Sequence, residues 1–147
     1  MATINPYLNF KGNTEEAFNF YKSVFGGEFA ALMRFKDVSA QEGCDGMTVA
    51  ENEQEKIMHI ALPVGNGNVL MATDVLESHS QNFTVGDNIS LSLSAESKEE
   101  ADRLFNALSE GGSNIMPLAD AFWGAYFGMA QDKFGIRWMV SYDYNKQ

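Results

Sequence analysis

The sequence is short of positive charge. Ten Lys and Arg stand against twenty Asp and Glu in 147 residues, a formal net charge of −10, and no basic run occurs. A phosphate backbone needs clustered cations, so nucleic acid is not expected as a partner; the same charge disfavours an anionic membrane surface. Long apolar runs are missing too. None approaches the ~18 residues that span a bilayer, and Met1-Ala2-Thr3-Ile4-Asn5-Pro6 has neither the basic region nor the apolar block of a signal peptide. The single cysteine, Cys44, excludes an intrachain disulfide. A cytoplasmic location is the expectation. Cys44 has acidic neighbours that would raise its thiol pKa, which argues against a nucleophile. Only two histidines are present, so acid–base chemistry has few candidates.

Apolar bulk and internal repetition are what the chain does have. Hydrophobic residues make up 45% of it, with eleven Phe, against 20% charged. That balance builds a packed interior and excludes a disordered chain. An alternating stretch from Ile4 to Phe10 leads to Asn13-x-x-Glu16-Ala17 and a helical pattern that stops at Gly26-Gly27. Later, Ile89 to Ala95 alternates, leads to Ser97-x-x-Glu100-Ala101, and a second helical pattern stops at Gly111-Gly112. Each copy reads as strand, capping box, amphipathic helix and glycine stop. Glycines placed after helix ends are not phosphate loops.

In the first copy Ile4, Pro6, Leu8 and Phe10 share one strand face. A helix is expected over 14–25, burying Ala17, Phe18, Tyr21, Val24 and Phe25, and a strand over 28–35. From about 37 to 55 periodicity vanishes, an unusual loop length in a small domain, with room for a short element at Met47 to Val49. Strands over 56–64 and 68–73 make a hairpin around Gly65-Asn66-Gly67, and 74–87 connects the copies. In the second copy Ile89, Leu91 and Leu93 alternate with serines. A helix over 98–109 buries Ala101, Leu104, Phe105 and Leu108, and strands follow over 115–118, 126–130 and 136–142. Each copy is βαβββ, so the class is α+β, with modules at 1–80 and 84–147 of one domain. Two such modules can pair mixed sheets around a cavity, which points to a small-molecule ligand.

Several words of sequence sharpen this. They are Asn5-Pro6-Tyr7-Leu8-Asn9-Phe10, Phe20-Tyr21-Lys22-Ser23-Val24-Phe25-Gly26-Gly27, Lys56-Ile57-Met58-His59, Leu70-Met71-Ala72-Thr73-Asp74, Phe122-Trp123-Gly124 and Asp132-Lys133-Phe134-Gly135-Ile136-Arg137-Trp138. They cover nearly the whole chain in order. With the duplicated βαβββ they make it resemble the PhnB-like branch of the vicinal oxygen chelate superfamily, which includes glyoxalase I, bleomycin-resistance proteins and extradiol dioxygenases. The resemblance implies a homodimer and a metal ligand from the first and last strand of each module. Those positions fall near Asn5, Met71, Asn88 and Met139. None is His, Glu or Asp, so neither a metal nor another cofactor is expected. Some relatives carry a demethylubiquinone methyltransferase label, but no Gly-rich strand–turn–helix unit for a nucleotide-type methyl donor is visible.

His59 sits on a strand with Met58 and Ile60 pointing the other way, and is the imidazole expected to face an interior as a base or hydrogen-bond partner. His79 falls on the connector. Asp74 ends a strand, where it either aims a carboxylate at a pocket mouth beside His59 or forms a turn. In the aromatic group Phe122, Trp123, Tyr126, Phe127, Phe134 and Trp138, the last two are expected in the core, while Trp123 and Tyr126, with Tyr7, are candidate ligand contacts. Arg34 and Arg137 read first as surface ion pairs. The preferred function is metal-independent small-molecule binding. The alternatives are a lyase, isomerase or oxygenase with a degenerate site around His59 and Asp74, and a drug-sequestering protein.

Overall fold

Asn13 to Phe25 shows how local signals and tertiary contacts divide the work in the first module. In the computed structural model, which describes residues 2–39 and 50–145, the helix α1 (Thr14–Phe25) buries Thr14, Ala17, Phe18, Tyr21 and Val24 along one stripe. Glu15 and Glu16 in its first turn and Lys22 in its last complement the helix dipole. The expected capping box does not close: the Asn13 side chain makes no cap bond. Instead Asp74, sixty residues away, accepts the Thr14 N–H through Oδ1 at 3.0 Å and the Ile57 N–H through Oδ2 at 2.8 Å.

Around α1 lie β1 (Tyr7–Phe10), β2 (Ala31–Arg34), β3 (Ile57–Gly65) and β4 (Asn68–Asp74), in the spatial order β1-β4-β3-β2. β1 and β4 run parallel and the other pairs antiparallel. Phe10, Ile60, Leu62, Leu70 and Ala72 are buried on the face that meets α1, each large side chain contributing about 1.5–3 kcal/mol. β1 is shorter than the alternation from Ile4 implied, and Ile4 is exposed. The cause is local: the Asn5 side chain, not a backbone carbonyl, takes the Val69 N–H at 3.1 Å. The β3–β4 turn is a two-residue loop with positive φ at Asn66 (53°) and Gly67 (80°), the primed geometry that suits strand twist. β2 is likewise shorter than 28–35: it begins only at Ala31, and a short helix α2 (Phe35–Ser39) takes the last expected residue; a 3-10 turn (Glu51–Glu53) occupies part of the stretch read as patternless. Cys44 and Met47 to Val49 lie outside the described residues.

The chain divides into two compact units, Met1–Phe83 and Thr84–Gln147. The second holds β5 (Leu91–Ser94), α3 (Lys98–Ser109), β6 (Ser113–Ala121), β7 (Ala125–Gln131) and β8 (Arg137–Asp143), in the order β5-β8-β7-β6. Here the capping signal is realised: Ser97 Oγ accepts the Glu100 N–H at 3.0 Å, and Glu100 Oε1 accepts the Glu96 N–H at 3.1 Å. Ala101, Leu104, Phe105 and Leu108 are buried, as are Ala130, Trp138 and Val140 on the sheet. β6 runs well beyond 115–118. As an exposed edge strand with Pro117 and two register shifts, it has no alternation to read. Asp132, 2% exposed, ties the β7–β8 turn by accepting from the Phe134 and Ile136 N–H groups and from Trp138 Nε1. No helix among the described residues is long and apolar enough to cross a membrane.

Candidate functional site

Each sheet has one face under its long helix and one opposite it, and register decides which side chains stand on the latter. Tyr7 opposes Met71, which opposes Ala61; two residues earlier on β3, His59 opposes Met33. Directly opposed residues share a face, and so do residues two apart on a strand. Tyr7, Met71, Ala61, His59 and Met33 therefore stand together, opposite the α1 side.

Tyr7 is 46% exposed and His59 half-buried. Their rings stack at 5.8 Å between centroids and 28° between planes, and the Tyr7 hydroxyl is 3.4 Å from His59 Nδ1. With the hydroxyl donating to Nδ1, the neutral imidazole carries its proton on Nε2. The pair then offers a ring N–H donor and a phenolic acceptor beside Met33, Ala61 and Met71, with the polar Asn9 and Thr73 farther along the same face. It reaches across β4, so no local sequence spacing announces it.

Asp74 does not join this pair. It opposes Phe10 and lies two residues from Ala72, which opposes Ile60, so parity puts it on the α1 face. It is 4% exposed with both oxygens engaged by backbone amides. A site built from His59 and Asp74 is thus divided by the sheet itself.

The second module repeats the arrangement with different chemistry. Met129 opposes Met139 as Ala61 opposes Met71, so Phe127 holds the place that His59 holds in the first module. Trp123, in the β6–β7 turn, is 54% exposed and packs edge-on to Phe127 at 5.5 Å between centroids; Phe122 beside it is 98% exposed. Tyr126 is turned the other way, to α3. Its hydroxyl donates to Asp102 at 2.5 Å, and Lys98 Nζ lies 4.7 Å from its ring centre. The Asp102 hydrogen bond, with burial and the negative charge nearby, raises the Tyr126 phenol above its ordinary value. Tyr144 donates to Asp120 at 2.6 Å, which pushes its phenol up to about 12. Tyr126 thereby acts as a fastener of α3. Asp102 and Asp120 went unread because their partners lie on other elements.

The donor set does not fit a hard divalent ion. Register puts Tyr7, not Asn5, beside Met71, and Ser92, not Asn88, beside Met139. Asn5 already serves β4. Among the described residues no three His, Cys, Asp or Glu gather closely enough to hold a metal, and thioether, phenol and hydroxyl groups are poor ligands for such an ion. Arg34 pairs with Glu15 at 2.8 Å and donates to the Glu55 carbonyl, and Arg137 lies 3.8 Å from Asp87. His79 falls in a 3-10 turn, Glu77–Asn82.

Comparison with known proteins gives consistent matches along nearly the whole chain. A family model described as 3-demethylubiquinone-9 3-methyltransferase matches residues 2–141. The crystal structure of protein PA1353 from Pseudomonas aeruginosa is 42% identical, covering 97% of this chain and 98% of that one, with a TM-score of 0.82. The PhnB protein from Bacillus cereus is 30% identical over 96% of this chain and 99% of its own, with a TM-score of 0.73. Protein YjdN of Escherichia coli is 28% identical over 94% of this chain and 93% of its own length. Solved structures described as glyoxalase/bleomycin resistance proteins carry the same fold at lower identity, a likeness of fold alone.

Proposed function

Since this chain belongs to the 3-demethylubiquinone-9 3-methyltransferase family, a PhnB-like branch of the vicinal oxygen chelate superfamily, we propose that it binds a flat, largely apolar small molecule without the superfamily's divalent metal. The Tyr7–His59 pair carries this reading. It puts one donor and one acceptor on a sheet face that carries Met33, Ala61 and Met71, with Asn9 and Thr73 beside them, apolar lining with a few polar groups as ligand-binding surfaces have. Trp123 over Phe127 offers a second aromatic contact surface on the other module. The reading extends to a homodimer, supported by the exposed apolar groups Met33, Met116 and Phe122, and to a cytoplasmic location, in keeping with a single cysteine.

The family's description names a methyl transfer, and these residues do not fit a nucleoside methyl donor. The first N–H of α1 is already taken by Asp74, and Ser97 caps α3. The paired glycines at 26–27 and 111–112 follow helix ends rather than lead into helix starts. We derive no methyl transfer. In a catalytic reading His59 would act with Tyr7 as its orienting partner, because Asp74 faces the other side.

The test is a calorimetric screen of uncharged bicyclic aromatic amides and quinones against protein treated with chelator, with sedimentation of the same samples. Hits should bind with Tyr7→Phe and His59→Ala each weakening them about fivefold to tenfold, the loss of one hydrogen bond of about 1 kcal/mol. Equal binding to both variants would remove the site, and a monomer at all concentrations would remove the dimer.

A further inference from the structure

Three methionines stand in one row across the second module's sheet. Register opposes Met116 on β6 to Met129 on β7, and Met129 to Met139 on β8. Directly opposed residues on adjoining strands share a face, with Cβ atoms about 4.5–5.5 Å apart, so Met129 and Met139 stand side by side; Met116 is opposed to Met129 between two register shifts of β6, and joins the row through that one pairing. Their face is not the one that meets α3. Ala130, Trp138 and Val140, the next residues along β7 and β8, are buried, whereas Met129 and Met139 are half-buried and Met116 is 47% exposed. The row ends at Ser92 on β5. Arg137, two residues from Met139, is the nearest cation along β8, and its guanidinium lies 3.8 Å from Asp87.

We propose that this row binds a soft monovalent cation of the Cu(I) and Ag(I) class. Thioether sulfur is a soft donor that selects such ions over hard divalent ones. The unbranched methionine side chain turns about three bonds, enough for sulfurs on three neighbouring strands to converge above Met129. Uncharged donors leave the bound ion its positive charge, which a chain with a net charge of −10 favours. The row holds no carboxylate or imidazole, so zinc and nickel gain nothing from it. The proposal rests on residues of the second module only and stands or falls without the Tyr7–His59 pair.

The experiment uses full-length protein with Cys44→Ser, so that the one thiol does not compete, and with carbon-13 on the methionine methyls. Titration with Ag(I), a redox-inert probe, should move three of the eight methionine signals together and saturate at one equivalent. Met129→Leu conserves volume, and its unchanged circular dichroism would show an intact fold. It should weaken binding at least about tenfold, because the middle donor is gone. Zn(II) should move none of the three. The proposal is overturned if Ag(I) gives no saturable shift, if the shift persists at full affinity in Met129→Leu, or if all methionines respond alike.

Discussion

Replacing Asp74 separates a scaffold residue from a working one. Its carboxylate is 4% exposed and accepts two backbone N–H bonds, one opening α1 and one opening β3. Hydrogen bonds to a charged group contribute about 1.5–3 kcal/mol each, and removing one partner leaves its buried mate unsatisfied. Asp74→Ala therefore costs about 3–5 kcal/mol, toward the lower end where water reaches the Thr14 amide. Domains of this kind have about 5–15 kcal/mol in all, and at about 2–4 °C per kcal/mol the Tm should fall by roughly 6–20 °C. Asp74→Asn keeps one acceptor and should lose about half as much. The assay is thermal and urea unfolding followed by circular dichroism, with ligand binding measured on the folded protein in the cold. Binding should survive in the folded fraction. A Tm within about 2 °C of the parent, together with a tenfold loss of binding, would refute the reasoning and return Asp74 to the site.

Two further outcomes follow from the same kind of accounting. At Gly112 an added Cβ would strike the Gln131 carbonyl oxygen and come within 2.8 Å of the Asp132 carbonyl carbon, backbone that cannot swing aside. Gly112→Ala should cost about 3 kcal/mol or more, and an unchanged melting curve would show that the strands part more easily than their packing implies. Tyr144, held by Asp120, should ionise at about 12, above the ordinary phenol near ~10. A phenol whose folded value is raised favours its protonated form in the fold, so that contribution is complete below the unfolded value and fades as pH rises through the folded one. Phenolate absorbance should show it: Asp120→Asn should bring one tyrosine back toward ordinary titration, and an identical curve in both proteins would deny the hydrogen bond.

Much of the fold was legible because its signals are local. The stripes placed both long helices, with Ala101, Leu104, Phe105 and Leu108 buried as expected in the second; in the first Ala17, Phe18, Tyr21 and Val24 are buried, while Phe25, at the helix end, is only half-buried and Thr14 is buried instead. The Asn66-Gly67 turn set the hairpin. β6 was read only over 115–118 because an edge strand with two register shifts and mostly exposed side chains has little alternation to read. The helix α2 escaped because five residues carry too little periodicity. Of the site, His59 and Tyr7 were picked as separate candidates, but nothing in their spacing of 52 residues says that they meet.

The sequence alone determined the duplicated βαβββ order, the two helices and the words that place the chain in its family, since each depends on neighbours within a few turns of chain. Only the tertiary structure decided which face of a sheet each chemical group stands on. Parity within a strand is fixed by the backbone, but which parity is covered depends on where the helix packs and which strands adjoin. That choice put His59 beside Tyr7, turned Asp74 beneath α1 to cap a helix that its own Asn13 leaves uncapped, and fastened Tyr126 to Asp102 on α3. It also paired Met116 with Met129 and Met129 with Met139, a register across three strands that their order along the chain does not reveal.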